Sequence, residues 1–397
     1  MKKMMQKQAS DSFLLQYEKQ KIQDCAGTLH NMASVFLIEQ KEDLKEKNRP
    51  DIFIKKSLQE SRIIVANHLK EIADIMDKAA LEKVRVIRPS EKKEKQMVKI
   101  FAMEGLVLED FYMLEKESDR KEVIIRVRRN ETRTKEQVYS VEEAGKFLSV
   151  LLNMKLVPSI KTPYFITDKS ENFCFEEEAN YVVLTGYAKS TKEGEKISGD
   201  NYSFFESREK KFYGVLSDGM GSGEKAGDDS DRVLDMAERY LDVGFSLQLS
   251  AKMINDILLL GSEGKNMSTL DICGIDLYTG EAEFLKVGAT FGLLKRDEHV
   301  EKISSTSLPL GIFYDLEMNY QKKQLLDGDY IFLFSDGILE HFSEENSEEF
   351  LMEIVAKMPY KRPTEMAGHI MKHAITMSQG RIKDDMTVLV LGIWDNS

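Results

Sequence analysis

Apolar positions in the first part of the chain recur at helical spacing. Between Ser12 and Leu37 they fall at Leu15, Ile22, Ala26, Leu29, Ala33 and Phe36, one face of a long amphipathic helix. A charged break spans Lys41 to Pro50. From Ile54 to Met76 a second helix carries Leu58, Val65, Leu69, Ile72 and Met76 in near-heptad order. Such a pair covers its apolar stripe in one of two ways: as a helical hairpin or dimer stalk, or by packing on the chain's own globular part.

The period then changes. Val123 to Asn130 alternates as a strand does, with Val123, Ile125 and Val127 on one side and Ile124, Arg126 and Arg128 on the other. Helical spacing returns over Val141 to Met154, which predicts a small α/β or α+β module from about Glu91 to Glu177. Its basic strand could receive an acidic partner or nucleic acid, or it is a solvated strand face.

From Asn180 onward short apolar runs alternate with turns bearing Gly and Asp. Strands are expected at Tyr181 to Tyr187, Tyr202 to Phe205 and Phe212 to Leu216, and helices over about Asp229 to Val243 and Leu247 to Leu260. Leu270 to Leu277 and Ala282 to Val287 form a hairpin about TyrThrGlyGlu. Further strands are expected at Gly292 to Lys295, Val300 to Ile303, Met318 to Lys323 and Tyr330 to Phe334. Helices near Glu348 to Lys357 and Thr364 to Met377 precede a closing strand at Thr387 to Ile393. Many antiparallel strands with helices entering in pairs predict an α+β fold: two packed antiparallel sheets flanked by helices. The expected division is a helical segment over 1–82, the small module over 83–179 and the sandwich over 180–397.

Composition narrows the function. The 397 residues are 42% hydrophobic, enough for a real core, and the net charge of -12 argues against a nucleic-acid binder. Cys25, Cys174 and Cys273 suggest neither a disulfide framework nor a metal knuckle, and a reducing compartment fits. The sequence holds no run long and apolar enough to cross a membrane. It reads as a soluble chain, or as a soluble piece of something longer.

The chemistry gathers at strand ends. Asp218 follows the apolar run Phe212 to Leu216 in SerAspGly, and Asp336 follows Tyr330 to Phe334 in the same wording. Asp200 lies in SerGlyAspAsn before Tyr202, and Asp385 in AspAspMetThr before Val388. One SerAspGly is ordinarily a turn. Four acids at strand junctions look instead like a site for a hard cation, Mg²⁺ or Mn²⁺, which takes carboxylate and water oxygens. The six histidines show no zinc spacing, and no phosphate-cradling loop or nucleophilic serine motif is convincing.

The wording of these segments resembles a known family. SGDNYSFF from Ser198, YGVLSDGMGSGEKA from Tyr213, STLDICGIDLYTGEAEFLKVGA from Ser268, SLPLGI from Ser307, FLFSDGILEH from Phe332 and DDMTVLVL from Asp384 are similar to the metal-dependent serine/threonine phosphatases of the PP2C type. More narrowly they resemble the sporulation stage II E group of endospore-forming bacteria. The motifs cover about Tyr181 to Trp394.

That resemblance implies a PP2C-like αββα sandwich and a catalytic and metal-binding set of Asp200, Asp218, Asp336 and Asp385. Asp218 would bridge two ions, Gly219 would lend a backbone carbonyl, and Asp336 and Asp385 would hold the second ion. The implied reaction is in-line attack on a phosphoserine by a water activated between the two ions. The implied substrate is a phosphorylated STAS-type anti-anti-sigma factor, whose dephosphorylation activates a sporulation sigma factor. Animal members often carry a histidine at the position of Met220 and an upstream arginine for the phosphate, and no equivalent of either is evident here. The resemblance also implies a homodimer formed through the N-terminal helices, and a cytoplasmic place, as given or as the cytosolic part of a membrane protein at the division septum. The alternative function is a catalytically silent protein of the same fold that switches partners through those helices.

Overall fold

The computed structural model describes residues 2–37, 49–82, 84–116, 120–130, 139–159, 162–261, 267–340, 347–359 and 362–396, with side chains in the first two helices from residues 18 and 58 onward. The charged break expected between those helices lies largely outside the described residues, as does the side chain of Leu15. The chain divides into two compact units, Met1–Glu178 and Ala179–Ser397.

The first unit begins with two long helices, α1 (Lys2–Leu37) and α2 (Arg49–Leu81). They pack on each other, and the expected stripe is kept on α1, through Ala26 and Ala33, but only in part on α2. Ala26 and Ala33 of α1, and Ala66, Ala73 and Ala80 of α2, are buried, recurring every seventh residue within each helix, and so is Ile64 of α2. Leu58 and Val65 point outward instead, 59% and 37% exposed. Methyl side chains let two helix axes approach closely, so small residues take most of the fully buried positions, while Leu69, Ile72 and Met76 are half-buried. Across the seam, His30 Nε2 lies 3.5 Å from Asp74 and 3.4 Å from Asp77.

The rest of this unit runs β1 (Arg85–Ile87), α3 (Glu91–Met103), β2 (Leu106–Glu115), β3 (Lys121–Arg129), β4 (Tyr139–Ser140), α4 (Val141–Leu152), β5 (Leu156–Pro158), β6 (Phe165–Ile166) and β7 (Glu171–Glu177). A five-stranded antiparallel sheet in the order β1-β2-β3-β7-β5 results, making the module α+β. Val123, Ile125 and Val127 are fully buried against Phe101 and Leu148 of the two helices, as their alternation requires. Ser140 and Glu143 close a capping box at the start of α4. The basic face of β3 is answered within the sheet, since Glu109 of β2 lies 3.1 Å from Arg128 and 3.8 Å from Arg126.

The second unit is the αββα sandwich. It continues with β8 (Tyr181–Ser190), β9 (Asp200–Glu206), β10 (Lys211–Asp218), α5 (Glu224–Asp242), α6 (Leu247–Gly261), β11 (Leu270–Asp276), β12 (Glu281–Val287), β13 (Gly292–Arg296) and β14 (His299–Ile303). Then come β15 (Asn319–Gln324), β16 (Tyr330–Phe334), α7 (Asp336–Glu340), α8 (Ser347–Ala356), α9 (Pro363–Met377) and β17 (Met386–Asp395). Two antiparallel sheets form, β15-β12-β11-β10-β9 and β14-β13-β16-β17-β8.

Alternation assigns each strand's side chains to layers. Leu216, Cys273 and Phe284 of the first sheet meet Ile331, Leu333 and Leu389 of the second between the sheets. Val215, Ile272 and Leu285 face outward onto α5 and α6, while Phe332, Val388 and Val390 face α8 and α9. Each sheet is therefore buried on both faces, which is why its strands read as continuous apolar runs.

Candidate metal centre at the strand ends

The register of the first sheet sets two acids side by side. Asp200 opens β9, Asp218 closes β10, and the two residues are direct antiparallel partners. In the second sheet Phe334 pairs with Val388, so the junctions after β16 and before β17 lie at one end. Asp336 stands at the first, beginning α7, and Asp384 and Asp385 at the second.

Hydroxyls fasten these ends together. Thr387 donates to Asp200 Oδ2 at 2.7 Å, bridging the sheets, and the Thr387 N–H donates to Ser335 Oγ at 2.8 Å. On the other side the Asp218 N–H donates to Thr269 Oγ1 at 2.9 Å, and Ser268 Oγ donates to the Asp218 carbonyl at 2.8 Å. Gly219 has no room for a side chain: a Cβ there would lie 2.0 Å from the Ala226 carbonyl oxygen in the first turn of α5.

The acids strain one another electrostatically. Burial, and then the charges of Asp200, Asp336 and Asp384, push the Asp218 carboxyl up to about 9. Burial raises Asp200 to about 6 against the hydrogen bonds from Thr387 and Ser335 that hold it down, with Asp385 and Asp336 adding to the rise. Asp336 is raised as well, by burial first and by Asp384 next. Asp200 Oδ1 is buried and has no hydrogen-bond partner. Each of these features is one that a cation would relieve.

Asp218 and Asp336 line a cavity of about 20 Å³ together with Thr269, Ser335 and Gly288. Among the described residues no three His, Cys, Asp or Glu side chains converge as a ready-made ion site. The donors are nonetheless all hard oxygens, they carry unbalanced negative charge, and one is orphaned, so the residues present fit a hard divalent cation by chemistry. They do not suit a covalent nucleophile. Burial, with the charge of Asp271 adding, drives the Cys273 thiol far above its usual range, and no histidine lines the cavity.

A family model described as Stage II sporulation protein E (SpoIIE) matches residues 208–394. Stage II sporulation protein E of Bacillus subtilis (strain 168) is 28% identical over 90% of this chain and 43% of its own length. That of Priestia megaterium is 30% identical over 87% of this chain and 58% of its own. The chain is a homologue of SpoIIE. It spans about half the length of these two curated relatives. A solved structure of the PP2C phosphatase domain and a fragment of the regulatory domain of SpoIIE from Bacillus subtilis covers 88% of this chain and 97% of its own, at 26% identity and a TM-score of 0.63. The sheet sandwich flanked by helices expected from the strand pattern, and the PP2C-like form that the resemblance implied for it, are the fold of that relative.

Within this cluster of acids in the SpoIIE homologue, two features went unread in the sequence. Asp385 spends both carboxylate oxygens on backbone donors, the N–H of Lys192 at 2.8 Å and of Gly199 at 2.7 Å. Asp384 is the neighbour whose charge reaches Asp218 and Asp336. The pair AspAsp carries the signal for a site but not which member serves it. The second feature is Asp271, fully buried in the same cavity wall and ion-paired with Lys286, its cross-strand partner. An acid inside the apolar run LDICGI and a lysine inside FLKVG were the available signals, and only the strand register joins them.

No described helix is long and apolar enough to cross a membrane.

Proposed function

We propose that this chain is a metal-dependent protein serine phosphatase acting on a phosphorylated STAS-type anti-anti-sigma factor and so activating a sporulation sigma factor. The observation that carries the reading is the set of acids, Asp200 and Asp218 from one sheet and Asp336 and Asp384 from the other, brought to one edge with their charge unbalanced. Similarity to SpoIIE supports it.

In this reading Asp200, Asp218, Asp336 and Asp384 hold two Mn²⁺ or Mg²⁺ ions, with the Gly219 carbonyl beside them. Asp385 anchors the loop before β9 through Lys192 and Gly199. Such cations, when bound, polarise water for attack on phosphorus and offset the charge on the phosphoryl oxygens. The chain's own residues do the positioning: Thr387 aims Asp200, while Thr269 and Ser268 fix the backbone on either side of the Asp218 carboxylate. Asp200 is fully buried, so bulk water screens its charge least. The exposed outer face of α2 is proposed to bring two copies together, and the cytoplasm is the proposed place of action.

The second reading, a catalytically silent regulator of the same fold, draws on the acids not converging as they stand. One experiment separates the two. Phosphate release from a serine-phosphorylated STAS protein is measured with Mn²⁺, with EDTA, and with Asp218→Ala. The phosphatase reading expects release by wild type with Mn²⁺ alone, reduced at least about a hundredfold in the variant, as for loss of a group acting at the reacting centre. Equal release by metal-stripped or variant protein contradicts it.

A further inference from the structure

The segment 304–318 between β14 and β15 encloses a hollow of about 340 Å³, within the range of ligand pockets. Leu308, Pro309, Phe313 and Leu316 line it, with Asp315 and Glu317 among them. Leu308 and Phe313 are 54% and 59% exposed, a grouping of large apolar side chains that marks an interaction site more often than a solvated loop.

Two short tethers join this hollow to the acid cavity. On one flank, Ser307 Oγ donates to the Lys286 carbonyl at 3.1 Å and accepts from the Gly288 N–H at 3.2 Å. Gly288 lines the acid cavity, and a Cβ on it would lie 2.4 Å from Pro309 Cα, so the two walls touch there. On the other flank the Leu310 N–H donates to the Ser268 carbonyl at 2.9 Å, and Ser268 Oγ donates to the carbonyl of Asp218. Whatever sits in the hollow is held at a set offset from Asp218.

The acid cavity itself offers a phosphoprotein little to grip. It is small, and none of the residues lining it is lysine or arginine. Affinity has to come from beside it.

We propose that the hollow docks the phosphoprotein's own chain: a large apolar side chain next to the phosphoserine enters against Leu308 and Phe313, and an adjacent lysine or arginine meets Asp315 and Glu317. The acidic wall and the net charge of -12 select a cationic neighbour. This rests on the phosphatase reading of the acid cavity.

The test uses two fluorescent phosphoserine peptides, one with Leu and Lys beside the phosphoserine and one with Gly and Glu in the same places. Binding to the full chain with Mn²⁺ is followed by anisotropy, and hydrolysis is followed in parallel. Wild type should prefer the Leu/Lys peptide by about tenfold or more, the weight of one large apolar side chain removed from water. Phe313→Glu and Leu308→Glu should bring the ratio close to one, with circular dichroism showing the fold intact and Phe313→Ala as a milder variant. Equal binding of the two peptides by wild type overturns the proposal, and hydrolysis of both without preference overturns it while leaving the phosphatase reading standing. Preference without hydrolysis upholds docking and overturns the phosphatase reading. A wild-type dimer that Phe313→Glu turns into a monomer in sedimentation assigns the hollow to a second copy and overturns the proposal.

Discussion

Asp384 and Asp385 are adjacent and chemically identical, yet their surroundings give them different work. Asp385 accepts two backbone N–H groups, whereas Asp384 accepts one, that of Asp385, lies 3.8 Å from Lys192 Nζ and adds its charge to Asp218 and Asp336. Asp385→Ala should therefore cost about 1–3 kcal/mol of stability, the desolvation penalty of donors left without a partner, read in a denaturant titration. Asp384→Ala removes a single backbone acceptor and relieves charge on Asp218, so it should cost the metal-free protein less than Asp385→Ala does, while raising the Mn²⁺ needed for half-maximal activity. The reverse pattern would restore Asp385 as the ligand. A second residue-scale expectation concerns Lys286 and Asp271, both 1% exposed. Lys286→Met strands a buried carboxylate and should cost about 3–5 kcal/mol, whereas adding Asp271→Leu should recover most of the loss, both read in the same titration. A double variant as unstable as the single one would show that the pair's charge is not what matters. Asp200, Asp218 and Asp336 were legible in the sequence because each interrupts an apolar run at a turn. Asp271 was not, because a lone acid within a strand has no partner until the register is known.

Among the elements, the N-terminal helices show where reading by hydrophobicity stops. Leu58 and Val65 dominate the pattern by size, but the seam runs along Ala26, Ala33, Ala66, Ala73 and Ala80. Spacing identifies helices, and side-chain volume decides which face can approach a neighbour. Ala73→Leu should overpack the seam and cost about 1–3 kcal/mol, detected as earlier melting of the helical signal. Val65→Lys should leave that signal unchanged and weaken self-association in sedimentation. If Val65→Lys melts the hairpin instead, the assignment of faces is wrong. In the sandwich the same reasoning worked well, since β10, β11, β16 and β17 are buried on both faces and their apolar runs have no competing explanation. The helix α5 was foreseen but begins earlier, at Glu224, because the close contact of Ala226 with Gly219 draws its first turn against the end of β10.

At the scale of the whole molecule, two sheets deliver their polar strand ends to one edge, and four acids gather there, of which Asp384 has the Lys192 ammonium 3.8 Å away. The fold was legible because layer assignment follows from period alone. The site was legible only as a set of residue types, since unbalanced charge arises from burial and proximity that no linear pattern displays. A cation that binds this edge in the folded state alone should stabilise the whole second unit, by about 2.7 kcal/mol when free Mn²⁺ stands a hundredfold above its dissociation constant. The most direct measurement is a calorimetric titration of metal-stripped protein with Mn²⁺, in wild type and in Asp218→Asn, with thermal unfolding recorded at each end point. The wild-type chain should bind Mn²⁺ and unfold at a higher temperature when loaded, and Asp218→Asn should lose both the binding and the gain. Equal Mn²⁺ binding by the two proteins, or a wild type that melts alike with and without the metal, would contradict a metal centre at the strand ends.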